Sequence, residues 1–150
     1  MKTLMLLLLS LLPIFSKSQQ PEAKPVKGTN VIYIKNDKSA AENYEVAAKT
    51  LLDNGFYIEQ KDADFKTLKT QPRKINKSTY LYFLNIRATD HQIVIQGQFK
   101  TGIELSIGGV KDPDNYEQIK FRNISGYKLA FKSMENAALL FSMPLVFGEI

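Results

Sequence analysis

Residues 39–58 read SAAENYEVAAKTLLDNGFYI, and this stretch decides the fold. Ser39, Ala40, Ala41 and Glu42 match a capping box. In that motif the serine oxygen accepts an N–H of the first turn and the glutamate reaches back to the serine N–H. Ala40, Ala41, Tyr44, Ala47, Ala48, Leu51 and Leu52 follow at three- and four-residue steps, with Glu42, Asn43, Glu45, Lys49 and Thr50 on the other side. The pattern predicts an amphipathic helix, and its many alanines imply close approach to a sheet. Gly55 stands where a left-handed C-terminal cap belongs. Phe56, Tyr57 and Ile58 then start a strand.

Working outward, Val31, Ile32, Tyr33 and Ile34 form a β-branched and aromatic run ahead of the helix, read as the first strand. Residues 62–76 are polar and basic, with Pro72 inside, and read as a loop with room for short structure. Residues 80–86 (YLYFLNI) make a dense strand, apolar on both faces at its start. Thr89, Asp90 and His91 turn the chain into residues 92–99 (QIVIQGQF), where Ile93, Ile95 and Phe99 share a face. Thr101 and Gly102 turn it again, and Ile103, Leu105 and Ile107 alternate. Gly108, Gly109 and residues 112–115 form a turn-rich loop before a last strand at 116–122. Tyr127, Ala130, Phe131, Met134, Ala137, Ala138 and Phe141 recur at helical steps, which predicts a second helix from about Gly126 to Ser142, stopped by Pro144. The competing reading makes Tyr127, Leu129 and Phe131 a strand, with a shorter helix from Ser133. The longer stripe through Phe141 favours the long helix.

The predicted order is β-α-β-β-β-β-β-α. Consecutive strands require antiparallel hairpins. Two amphipathic helices must each bury one stripe, and placing both on one face of the sheet solves that. The expected fold is a two-layer α+β sandwich whose other sheet face is open or half solvated.

The N-terminus carries an address. Met1 and Lys2 precede an apolar run over residues 4–12 broken only by Ser10, then Pro13, Ile14, Phe15 and the small residues Ser16 and Ser18. That is the order of a secretory signal peptide cleaved near Ser18. The run is too short for the roughly twenty residues of a spanning helix. The chain has no Cys, so neither a lipidated cysteine nor a disulfide is available. The expected layout is a signal peptide at 1–18, a mobile lead-in at 19–28 and one α+β domain at 29–150. Localisation is expected to be periplasmic or extracellular, with no transmembrane segment after cleavage. Removing Lys2 and Lys17 lowers the formal charge of +5 to +3. So small an excess on an exported chain argues against nucleic acid.

The residues from Ala40 to Pro72 carry a resemblance. A helix ending in Leu51, Leu52, Asp53, Asn54, Gly55 and Phe56, then Ile58, Asp62, Asp64, Thr70 and Pro72, resembles the repeated domains of the outer-membrane assembly lipoprotein BamC. It is also similar to uncharacterised exported bacterial families with a TBP-like, or helix-grip, fold. The resemblance spans about thirty residues in sequence and the last 110 or so in element order. It implies helix, strand, polar loop, strand meander and terminal helix, in an exported interaction module. The chain departs from BamC in lacking the lipidated Cys and in having one such domain.

Catalytic chemistry finds little to work with. His91 is the only histidine and sits in a predicted turn beside Asp90, where an exposed turn residue is the plain reading. There is no G-x-S-x-G and no cysteine nucleophile. Zinc usually takes several Cys or His ligands. Asp112, Asp114, Asn115 and Glu117 fail the calcium-loop spacing, and Asp62 and Asp64 read as loop acids. Gly108 and Gly109 lack a following G-K-S or G-K-T, so no cofactor is expected. The sequons at Asn76 and Asn123 matter only in a eukaryotic secretory pathway. Lys66, Lys69, Arg73, Lys74 and Lys77 form the densest basic run and would meet lipid headgroups or acidic polysaccharide. Tyr80 and Tyr82, with Tyr33 and Tyr57, are expected on strands, either as ordinary core edges or on an open sheet face, where they would suit recognition. The expected role is a non-enzymatic module binding a protein or cell-envelope component. The alternatives are a secreted enzyme inhibitor presenting the Asp90–His91 hairpin and, behind it, a small hydrolase.

Overall fold

A computed structural model describes residues 24–101, 106–107, 110–111 and 115–150. The signal-peptide segment, most of the lead-in, the alternation at Ile103 and Leu105 and the acids Asp112 and Asp114 lie outside the described residues.

The helix predicted from residues 39–58 is α1 (Ala40–Asp53), and both halves of its capping box form. The Glu42 N–H donates to Ser39 Oγ, and the Ser39 N–H donates to Glu42 Oε2 at 2.9 Å. At the other end Gly55 takes φ +75°, the left-handed region glycine enters without steric cost. Its N–H donates to the Leu52 carbonyl, and Phe56 N–H donates to the Leu51 carbonyl. That double bond pattern is the Schellman motif, and the buried Leu51 and Phe56 supply its apolar contact.

The strands are β1 (Val31–Lys35), β2 (Ile58–Asp62), β3 (Thr67–Thr70), β4 (Arg73–Lys74), β5 (Tyr80–Thr89), β6 (Gln92–Thr101), β7 (Ser106–Ile107), β8 (Val110–Lys111), β9 (Glu117–Gln118) and β10 (Leu145–Gly148), with α2 (Ser125–Leu139) before the last. The main sheet runs β10-β1-β6-β5-β3-β2, with β4 beside β5 and β9 beside β6. Every pairing is antiparallel. β7 and β8 pair only with each other. The expected α+β two-layer sandwich is the fold observed.

Four details differ from expectation. The chain does not end in a helix, because β10 follows α2 and pairs with β1 from Val31↔Gly148 to Ile34↔Leu145. The polar stretch 62–76 is not a simple loop, because β3 and β4 both pair with β5 inside it. Pro72 has no N–H for a ladder. At the end of β3 the fully buried Thr70 hydroxyl accepts the Leu84 N–H at 2.9 Å, giving that donor of β5 a partner beside the break. The strand read at 116–122 shrinks to β9. Beyond it Ile119 N–H donates to Gly97 O, Phe121 N–H to Thr29 O and Gly28 N–H to Phe121 O, so the chain continues along β6 and meets the end of the lead-in. Finally, α2 stops at Leu139 rather than Ser142, and it spans the residues the competing reading gave to a strand.

Both helices lie on one face. Tyr44, Ala47, Ala48 and Leu51 of α1 and Ala130, Phe131, Met134, Ala137 and Ala138 of α2 meet Ile32, Ile34, Leu84, Ile86, Ile93 and Ile95 of the sheet in one cluster. Burying each large aliphatic side chain there stabilises the fold by about 2 kcal/mol. The alanines let the helix backbones approach closely. Gly97 does the same for the sheet, since a Cβ there would stand 2.7 Å from Ile119 Cδ1. Edge strand β2 is guarded by exposed Glu59, Gln60, Lys61 and Asp62, which discourages strand addition. No helix among the described residues is long and apolar enough to cross a membrane.

Candidate binding site on the open sheet face

Side chains alternate across a strand, so register decides which residues share the face turned from the helices. Gln60, Lys69, Asn85 and Gln96 stand in direct register across β2, β3, β5 and β6. The neighbouring row is Asp62, Thr67, Arg87, Val94, Tyr33 and Val146. Together with Ile150, members of these rows line a groove of about 710 Å³. Its walls are mostly amides, hydroxyls and cations, with Asp62 the one carboxylate side chain among the lining residues.

The groove has a rigid floor. Val94 and Phe83 are buried although they face away from both helices. Lys69 Nζ lies 4.8 Å over the Phe83 ring, and Tyr116 packs edge-on against it at 5.0 Å. Lys69 also pairs with Glu59 at 2.9 Å. That pair is half exposed and contributes little stability, but it fixes where the ammonium sits. On the far wall Ile150 is held by buried Asn30, whose Nδ2 donates to Ile150 O at 3.1 Å while Ile150 N–H donates to Asn30 Oδ1 at 3.0 Å.

Tyr80 and Tyr82 take the core-edge reading rather than the recognition-face one. Tyr82 and Tyr80 do not lie on the open face. Tyr82 is buried in the helix-facing core, and Tyr80 packs against Phe99 at 5.9 Å and over Gly126. Their parity is that of Leu84 and Ile86, which must meet the helices. Tyr33 does share the open face, half-buried, with Lys35 over its ring. Tyr57 is exposed ahead of β2 and lines neither concavity.

The basic run is also divided. Lys69 reaches the groove. Lys66 sits in the β2–β3 turn, donates to Ala63 O and lies 5.8 Å over the Tyr44 ring. Arg73 and Lys74 instead join Tyr82 at a second, smaller concavity of about 290 Å³ between β4, the end of α1 and α2. Sequence reasoning missed Gln60, Asn85, Arg87 and Gln96. The available signal was the polar member at alternate positions of 85–87 and 92–98.

The Asp90–His91 hairpin is tied down. Asp90 Oδ1 accepts the Ala40 N–H at 2.8 Å, and His91 N–H donates to Lys38 O at 2.8 Å. Fully buried Asn43 spreads its Nδ2 over the carbonyls of Thr89 (2.9 Å), Lys38 (3.3 Å) and Gln92 (3.5 Å). No group of three or more acids, histidines or cysteines able to hold a metal occurs among the described residues.

No family model and no curated protein matches the chain. Among solved structures it is similar to the crystal structure of a DUF4468 family protein from Bacteroides ovatus ATCC 8483, at 11% identity over 82% of this chain and 92% of that one, with a TM-score of 0.42.

Proposed function

We propose that the chain is an exported, non-enzymatic binding module that holds an extended segment of a protein or another cell-envelope component across its open sheet face. The observation that carries this is the register row Gln60, Lys69, Asn85 and Gln96, backed by Thr67 and Arg87. Amide side chains both donate and accept. A row of them in a groove suits a partner that offers its own backbone groups. Lys69 is held against the buried Phe83 ring and paired with Glu59, so its ammonium is placed before a partner arrives, which favours affinity.

The signal-like leader supports export, and the resemblance of residues 40–72 to BamC belongs to the same proposal. The inhibitor alternative needs a projecting hairpin, whereas Asp90 and His91 are bonded to the entry of α1. The hydrolase alternative needs converging acids, and the groove offers Asp62 among amides and cations.

The test is a photo-crosslinking residue placed at Gln96, with a second at Leu129 on the exposed side of α2 as control, in cells producing the full chain. A discrete adduct at Gln96 that is absent at Leu129, and reduced by Asn85→Ala, is the expected result. Equal adducts at both positions would refute the open-face site. Cell fractionation with N-terminal sequencing tests export, the expected first residue being Gln19.

A further inference from the structure

The smaller concavity lies on the helix side of the sheet, away from the groove. Arg73 and Tyr82 stand opposite one another in β4 and β5. The Arg73 guanidinium carbon lies 4.2 Å over the Phe56 ring, and Phe56 is itself buried. A guanidinium held over an aromatic face keeps its edge N–H donors available. Burial pushes the Tyr82 phenol above its usual range, with the nearby Arg73 charge opposing that rise. Its hydroxyl bonds to no group among the described residues.

The charge here is uncompensated. Lys49, Lys69 and Lys132 each have an acidic partner. Among the described residues Arg73 and Lys74 have none within 4.0 Å, and no acid lines the cavity. Asn54, Asn76 and Asn136 supply amides around it, while Ala137 and Leu140 give one apolar wall. About 290 Å³ is at the small end for a ligand pocket.

We propose that this pocket binds a single carboxylate group carried on a short apolar stem. The carboxylate takes the guanidinium fork of Arg73, the planar pairing that favours a carboxylate, and Lys74 adds charge at the rim. The Tyr82 hydroxyl and the Asn136 amide are the neutral donors, and the stem lies along Ala137 and Leu140. A free small acid and an acidic residue of a peptide share this chemistry.

The test is a titration of the isotope-labelled intact chain at low salt, followed by backbone amide shifts, with propionate and propionamide as probes. Propionate should move Arg73, Lys74, Tyr82 and Asn136 saturably, with a dissociation constant on the order of millimolar, and propionamide should not. Arg73→Gln should weaken propionate by about tenfold or more, the loss expected for a charge-assisted pair. Lys74→Gln and the exposed Asn136→Leu should weaken it less while leaving the thermal midpoint in place. N-acetylglutamate amide binding more tightly than propionate assigns a peptide carrier, and equal binding assigns a free acid. Unsaturable shifts, equal shifts with propionamide, or binding untouched by Arg73→Gln would overturn the proposal. Tighter binding of inorganic phosphate than of propionate would overturn the carboxylate assignment.

Discussion

At the N-terminal end of α1 the Ser39 hydroxyl, the Glu42 and Asp90 carboxylates and the Asn43 amide nitrogen are bonded, mostly to backbone, while Asn43 Oδ1 and Asn36 Nδ2 stay buried without a partner among the described residues. At its C-terminal end, a 14-residue helix away, the backbone is fully capped, yet Arg73, Lys74 and the Tyr82 hydroxyl have no polar partner among the described residues. The first end is architecture. There, polar side chains replace ladder and helix bonds that the β5–β6 hairpin and the helix start would otherwise lack. The second end needs no such help, because glycine and backbone complete the cap. The polar side chains of the first end are thus largely consumed by backbone groups, and those of the second are not.

The contrast breaks most sharply at Asn43. Asn43→Ala removes the buried donor of the Thr89 carbonyl, Lys38 O keeping the His91 N–H, and should cost about 2 kcal/mol in urea unfolding, with an unchanged m value. A loss under about 1 kcal/mol would mean that the hairpin is held by its ladder alone. Asp90→Ala removes the acceptor of the Ala40 N–H and should cost about 1 kcal/mol, the size of a lost helix cap. At the other end Arg73→Gln should change stability by no more than about 0.5 kcal/mol. A larger loss would make Arg73 a structural residue and erase the distinction.

The smallest effect lies in Glu42. Hydrogen bonds from the Ser39 N–H first, and the Ser39 hydroxyl second, hold its carboxyl below its usual value of 4.5. The capping box thus contributes stability above pH 4.5 that is lost as pH falls through the lowered folded value. Glu42→Gln keeps the hydrogen bond and removes the titration. Its urea midpoint should fall less than the wild type's between pH 6 and about pH 3, where carboxylates titrate. Parallel curves would show that the cap does not sense pH.

What was legible in the sequence follows the range of the interaction. The capping box and Gly55 act within one helix and were read correctly, but the stripe was only partly right: Ala41 and Leu52, assigned to the apolar side, are exposed, and Asn43, assigned to the polar side, is fully buried. β10 was missed because its four residues take their strand character from β1, over a hundred positions earlier. β3 and β4 were hidden because Pro72 reads as a break, while their strand character comes from pairing with β5. The face of Tyr80 and Tyr82 was not legible because YLYFLNI is apolar at successive positions, and only the packing of Leu84 and Ile86 breaks the tie. The polar row of the groove draws one residue from each of four strands. No single stretch contains that pattern, and only the register assembles it.

The bond between Asn30 and Ile150 closes a loop of 120 positions. β1 is flanked by β6 on one side, and residues 145–148 cover the other. Without them its outer edge, VIYIK, is an open template for any strand at hand. Whatever frees β10 from β1 therefore reopens that edge.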